Sequence, residues 1–235
     1  ADNTVKLLPI KTLIELRKEF QDQINIEIAV QPLEGVLDKK SRKFFEQACE
    51  LADLIGGLPS KDRPMPEKHL DIIMDMAKSM NKKIDVHIDQ ENNPFENETE
   101  LLALKTIEHG LEGYVSGVHA ISLSAKPPSE QDRIIKLLKE ANLNIIVCPA
   151  AGISMKQLDL HVPSHNSIAP VGKLIDSGIK VFMGIDNIAD LFMPLADADM
   201  WFECRLLMES CRFYDLEKVA EIVTDKSGFT INNSL

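Results

Sequence analysis

The sequence predicts an α/β fold of repeated βα units around a parallel sheet, and three observations predict it. Six short β-rich runs recur at spacings of 27, 33, 29, 31 and 36 residues, the period of a strand-plus-helix unit. Amphipathic helical patterns fill the gaps between them. Three residues with chemical capability, His87, His119 and Asp186, end three of the runs. In a parallel barrel the C-terminal strand ends share one face, and that face carries the chemistry.

Taken in order, the first element is a helix from Pro9 to about Phe20. Ahead of it, Ala1 to Lys6 reads as the remnant of one more strand. The six runs begin at Ile24 (INIEIAV), Leu51 (LADLIGG), Ile84 (IDVHI), Gly113 (GYVSGV), Asn144 (NIIVC) and Lys180 (KVFMG). Leu70, Ile73, Met74 and Ala77 form an apolar helical stripe, with Pro66 suited to its first turn. Ile134, Leu137, Leu138 and Ala141 form another, opened by Ser129-Glu130-Gln131-Asp132, which is close to a capping box. Ala150 to Asn166 reads as a long loop over the strand ends, carrying His161 and His165. Pro194 to Val223 reads as two helices, with Met193, Met200 and Met208 in core packing and Asp197, Asp199 and Glu203 on a solvated face. His69 and His109 read as surface residues on or near helices.

The bulk numbers set limits. The 235 residues suit one α/β domain, 1–235, with no linker or low-complexity segment. The net charge of −11 is a poor match for nucleic acid, whose phosphates need clustered Lys and Arg. No 18-residue apolar run suggests a membrane span, and Ala1-Asp2-Asn3-Thr4 lacks the features of a signal peptide. Cys49, Cys148, Cys204 and Cys211 show no CxxC spacing, so free thiols in a reducing cytoplasm are expected.

The markers Gln31-Pro32-Leu33-Glu34-Gly35, Val86-His87-Ile88-Asp89, Val118-His119 and Gly184-Ile185-Asp186-Asn187 follow four of the strands in order. On these the chain resembles the amidohydrolase superfamily, in its cytosine deaminase-like branch, from about Leu13 to Asn233. The resemblance implies a TIM-like (β/α)8 barrel of the metal-dependent hydrolase type that cleaves C–N bonds of small cyclic substrates. Six clear strands are two short of eight, so the barrel is expected to be incomplete, with about six or seven βα units. The chain is expected to start inside the fold and to lack the family's flanking β-sandwich domain. By resemblance, His87 and Asp186 are metal ligands, His119 stands at the metal's water and serves as a further donor, and the metal is zinc or iron. Asp186, His119 and Gln90 hold the catalytic positions; Leu33, Asn187 and Phe192 hold substrate-lining ones.

The departures from the family are equally specific. No HxH occurs in the sequence, although the family's first strand supplies such a pair, so metal affinity is expected to be weak or lost in this chain alone. Gln90 stands where the deaminases carry a proton-shuttling Glu, and an amide does not exchange a proton at neutral pH. Leu33 replaces an amide that binds cytosine, which argues against cytosine as substrate. Asn187 stands where an acidic residue commonly follows the metal Asp. Two readings follow: a hydrolase of small N-heterocycles, or a non-catalytic small-molecule-binding or structural descendant of the barrel. A small-molecule substrate, no membrane or nucleic acid, and a homo-oligomer that covers the open sheet edges complete the expectations.

Overall fold

The computed structural model describes residues 2–156, 158–159 and 163–224. Its elements alternate as α1 (Leu8–Glu19), β1 (Ala29–Val30), α2 (Lys39–Leu51), β2 (Leu54–Gly57), α3 (Pro66–Met80), β3 (Lys83–Ile88), α4 (Glu98–His109), β4 (Val115–His119), α5 (Pro128–Glu140), β5 (Asn144–Val147), α6 (Pro149–Ser154), α7 (Val171–Asp176), β6 (Val181–Met183), α8 (Met200–Cys211) and α9 (Leu216–Ile222). All strand pairs are parallel and the strands lie in sequence order from β1 to β6. This is the expected α/β succession of βα units, with six strands among the described residues.

The core lies between sheet and helices. Phe45 of α2, Leu70, Ile73 and Met74 of α3, Leu102 of α4 and Ile134 and Leu138 of α5 are fully buried against Ile55, Ile84, Val86 and Ile145 of the sheet. The Met residues behave as expected: Met208 is buried in this core, and Met193 and Met200 pack partly against it or its satellite. No helix among the described residues is long and apolar enough to cross a membrane.

Several expectations need correction. Residues 3–7 form a turn, and no strand precedes α1 among the described residues. The run from Ile24 yields only two strand residues, because the Asp53 carboxylate takes the Ile28 N–H at 2.8 Å while Arg17 binds the same carboxylate at 2.6 Å. α5 starts at Pro128, so Ser129 is not its cap; two prolines pre-set the entry instead. α3 does begin at Pro66. The loop expected from Ala150 opens as α6. Glu203 is 2% exposed and accepts the Ala150 N–H at 2.9 Å, so it is not a solvated residue. Met200, Glu203, Cys204, Leu207 and Met208 follow one helical stripe, which explains its burial.

His69 is also corrected: it is completely buried. Its Nδ1 lies 2.6 Å from Asp62 Oδ2, and its Nε2 accepts the Leu58 N–H at 2.9 Å. Accepting at Nε2 requires a neutral ring with its proton on Nδ1. Asp62 in turn accepts the Val36 N–H at 2.7 Å. Gly35, at φ +77°, passes so close that a Cβ there would meet Asp62 Oδ1 at 2.4 Å. One buried pair therefore ties the loops after β1 and β2 to α3.

Burial holds the His69 pKa below its ordinary value, partly offset by Asp62. The unfolded chain then binds the extra proton, so this contribution is complete above pH ~6.5 and declines as pH falls through the folded pKa. His69→Ala is expected to cost about 1–3 kcal/mol at pH 7.5, since Leu58 N–H and Asp62 lose a partner. Urea unfolding at pH 7.5 and 5.0 checks it: the gap between the two proteins should narrow at the lower pH, and a constant gap would contradict the neutral-ring assignment.

Candidate metal centre

β3 and β4 deliver the two histidines side by side. Their register pairs His87 with Val118 and Ile88 with His119. His87 sits within β3, in the alternating pattern that buries Ile84, Val86 and Ile88 on one face and turns Asp85 and His87 to the other. His119 ends β4, and Asp186 lies three residues past the end of β6, slightly beyond its expected position. His119 and Asp186 hold left-handed backbone, φ 77° and 70°. Non-glycine residues there carry strain of order 1–3 kcal/mol, a feature that concentrates at functional sites.

The three side chains converge. His119 Nε2 lies 3.2 Å from His87 Nδ1 and 3.7 Å from Asp186 Oδ2. The two rings meet edge to face with centroids 4.9 Å apart. One ligating atom from each of the three lies within 4.8 Å of the others. His119 is 1% exposed in its side chain, against 23% for His87 and 18% for Asp186, so it stands behind the other two. Its Nδ1 is buried with no hydrogen-bond partner among the described residues.

Desolvation dominates the electrostatics. Burial pushes His87 down to about 4, opposed by a hydrogen bond with Gln90. Burial pushes His119 down to about 3, helped by its neighbour His87. Burial pushes Asp186 up to about 6, with Asp190 adding repulsion, and Asp85 up to about 6, with Asp186 adding repulsion. Both rings are therefore neutral at pH 7 and offer lone pairs, beside carboxylates that lack a counter-charge among the described residues. Neutral imidazole with carboxylate is a donor set for zinc, iron or manganese, and three protein ligands is the number a catalytic zinc site uses. The residues present fit a divalent ion.

A cavity of about 720 Å³ opens in front of this cluster. His87 and Asp186 line it together with Gln90, Leu33, Asn187 and Phe192, so six of the seven expected site residues share one cavity and the seventh, His119, backs it. Phe192 and Leu33 are at the mouth, 80% and 56% exposed. Asn187 donates its amide to Asp190. His165 accepts the Ser167 N–H at 3.1 Å and lies away from this cavity; His161 lies outside the described residues. His109 is half-buried and binds Asp71 at 3.0 Å.

Sequence reasoning missed one wall. Arg63 lines the cavity and binds Glu98 Oε1 at 2.8 Å through Nη2, and also Glu96. Glu96 accepts the Ser122 hydroxyl at 2.9 Å, and Glu98 accepts the Asp89 N–H at 3.1 Å. Asp89 does not share the His87 face. It is fully buried, turned by φ 47°, and accepts the Glu98 and Thr99 N–H groups at 2.9 and 3.1 Å. These contacts close the start of α4 reciprocally and hold the Gln90–Glu91 segment between strand and helix. The only sequence signal was Asp89 and Glu98 flanking a polar loop, which carries no period.

Residues 16–232 match the sequence profile described as the Amidohydrolase family. The chain belongs to the amidohydrolase family. Among curated relatives it is 38% identical over 162 residues to an uncharacterized protein of Haemophilus influenzae, covering 68% of this chain and 59% of that one. It is 27% identical over 202 residues to N-isopropylammelide isopropyl amidohydrolase of Pseudomonas sp. strain ADP, covering 85% of this chain and 47% of that one. The chain thus spans about half the length of the curated amidohydrolase relatives it matches. A solved structure of 5-methylcytosine deaminase from Klebsiella pneumoniae, liganded with phosphonocytosine, superposes with a TM-score of 0.87 over 98% of this chain and 60% of that one, at 23% identity. That likeness establishes the fold, a set of βα units of an amidohydrolase barrel.

Asp89→Ala removes both acceptors at the start of α4. It is expected to lower unfolding free energy by about 1–2 kcal/mol and to speed hydrogen exchange at Glu98 and Thr99 amides. Exchange at those two amides that matches the wild type would contradict the capping role.

Proposed function

We propose that His87, His119 and Asp186 hold a divalent metal ion, zinc or iron, and that the chain forms much of the catalytic face of a hydrolase acting on a C–N bond of a small N-heterocyclic molecule. The observation that carries this reading is the convergence of two neutral imidazoles and a carboxylate within 4.8 Å at the wall of a cavity of ring-binding size. When bound, such an ion polarises the reacting group and brings a water's pKa towards neutrality.

The chain's own residues supply the rest. Asp186 is the carboxylate that this centre offers to take and return a proton. His119 is fixed behind it and orients whatever occupies the space between. Gln90 bonds His87 and donates or accepts a hydrogen bond without moving a proton. Leu33, Phe192 and Asn187 give the cavity apolar walls and one amide, fit for a flat ring other than cytosine. The names of the relatives, an isopropylammelide hydrolase and a 5-methylcytosine deaminase, support a heterocyclic substrate.

Gln90 favours a second reading, a binding site that turns nothing over. Two measurements separate them. Protein supplied with zinc or iron should bind up to one ion per chain by plasma mass spectrometry, weakly because no HxH pair is present in the sequence, and Asp186→Asn or His87→Ala should lose it. Amine or ammonia release should then be screened over a panel of amino-substituted pyrimidines, triazines and pterins. Gln90→Glu is expected to raise the rate by about 10²–10⁴. Bound metal with no turnover in either protein would favour the non-catalytic reading, and absence of metal would remove the hydrolase reading for this chain.

We further propose that the chain self-associates. β1 and β6 pair on one side only among the described residues, and Leu191, Leu195 and Trp201 are largely exposed; open edges and apolar surface both favour pairing. Light scattering after size exclusion should give at least twice the 26.3 kDa chain mass, and a monomer at micromolar concentration would dispose of the idea.

A further inference from the structure

Asp85 stands two residues before His87 on β3 and shares its face. Its Oδ1 is buried and has no hydrogen-bond partner among the described residues. Among the described residues its electrostatic neighbours include His87 Nε2, at 3.9 Å, the like charge of Asp186 and the Cys148 thiol. A buried carboxylate facing another carboxylate is unfavourable unless positive charge arrives between them, and a chain of net charge −11 offers no general compensation.

The geometry of His87 shows where that charge would act. Its Nδ1 faces His119 Nε2 at 3.2 Å, so Nδ1 points into the donor cluster while Nε2 points to Asp85. A carboxylate behind one ring nitrogen holds the proton there and raises the basicity of the other. Asp85 lies outside the three-donor group, so its action runs through His87. Gln90 also bonds His87, but an amide carries no charge.

We propose that Asp85 is the positioning residue of the metal centre: it biases His87 to the tautomer with its proton on Nε2, leaves the Nδ1 lone pair for a divalent cation, and supplies the balancing negative charge. At 3.9 Å the contact to the neutral ring is too long for a hydrogen bond, so the carboxylate's charge is the larger part of the effect. The inference rests on the metal reading above.

Zinc affinity by competition with a chromophoric chelator tests it, with the thermal midpoint of the metal-free protein recorded alongside. Asp85→Asn is expected to weaken zinc binding by about 10–100-fold, while the metal-free midpoint stays level or rises because a repulsive buried charge is gone. Asp85→Glu, which keeps the charge, should recover most of the affinity. A merely structural Asp85 would lower affinity and metal-free stability together, and that result would overturn the proposal. So would wild-type zinc affinity in Asp85→Asn. Failure of the wild-type protein to bind zinc is a separate outcome: it removes the metal reading itself, and this inference with it.

Discussion

The site is governed by the withdrawal of two imidazoles and two carboxylates from water on one side of a parallel sheet. His87, His119, Asp85 and Asp186 all shift towards their neutral forms, chiefly through burial. Polar groups with incomplete partners cost free energy in such a place. A cation would replace the missing partners and would reverse the penalty for both carboxylates. The strain at His119 and Asp186, in left-handed backbone at or just beyond strand ends, points the same way: the turn geometry is held where it aims side chains at a common point.

What keeps the point fixed is a scaffold of buried charge around it. The Asp62–His69 pair ties three segments at the β2 end of the cavity. Arg63, Glu96, Glu98 and Asp89 tie the β3 loop to the same rim. Both arrangements satisfy backbone N–H groups in loops where no sheet partner is present. They explain how short strands, two to six residues long, support a defined cavity: loop positions are set by carboxylates accepting from specific amides.

Much of this was legible in the sequence because periodicity and strand-end position are local signals. The six runs gave six parallel strands in order, and His87, His119 and Asp186 converge as their positions implied. Tertiary competition hid the rest. Asp53 captured the amide that would have extended β1. Strict alternation would put Asp89 on the His87 face, but the chain leaves the strand at Ile88 and the carboxylate turns to α4. His69 stands four residues before Ile73, so the apolar stripe of α3 already included it; its polarity concealed that, as with Glu203 on α8. The network through Arg63 joins residues 33 to 35 positions apart, a relation that no local pattern encodes.

Gln90 and Leu33 acquire a common meaning from their placement. Both line the cavity in front of the donor cluster, and each differs from the cytosine deaminase pattern by loss of a specific polar function while the volume is kept. The three donors that this chain supplies lie behind them, and strained turns aim two of the three, His119 and Asp186. Relaxed selection on an unused site would be expected to disperse the energetically costly features first, since strained backbone and desolvated charge reduce stability with no return. Their presence together, beside altered groups in the cavity in front of them, supports the proposed reading of a centre that would engage a cation and would accept a ring other than cytosine.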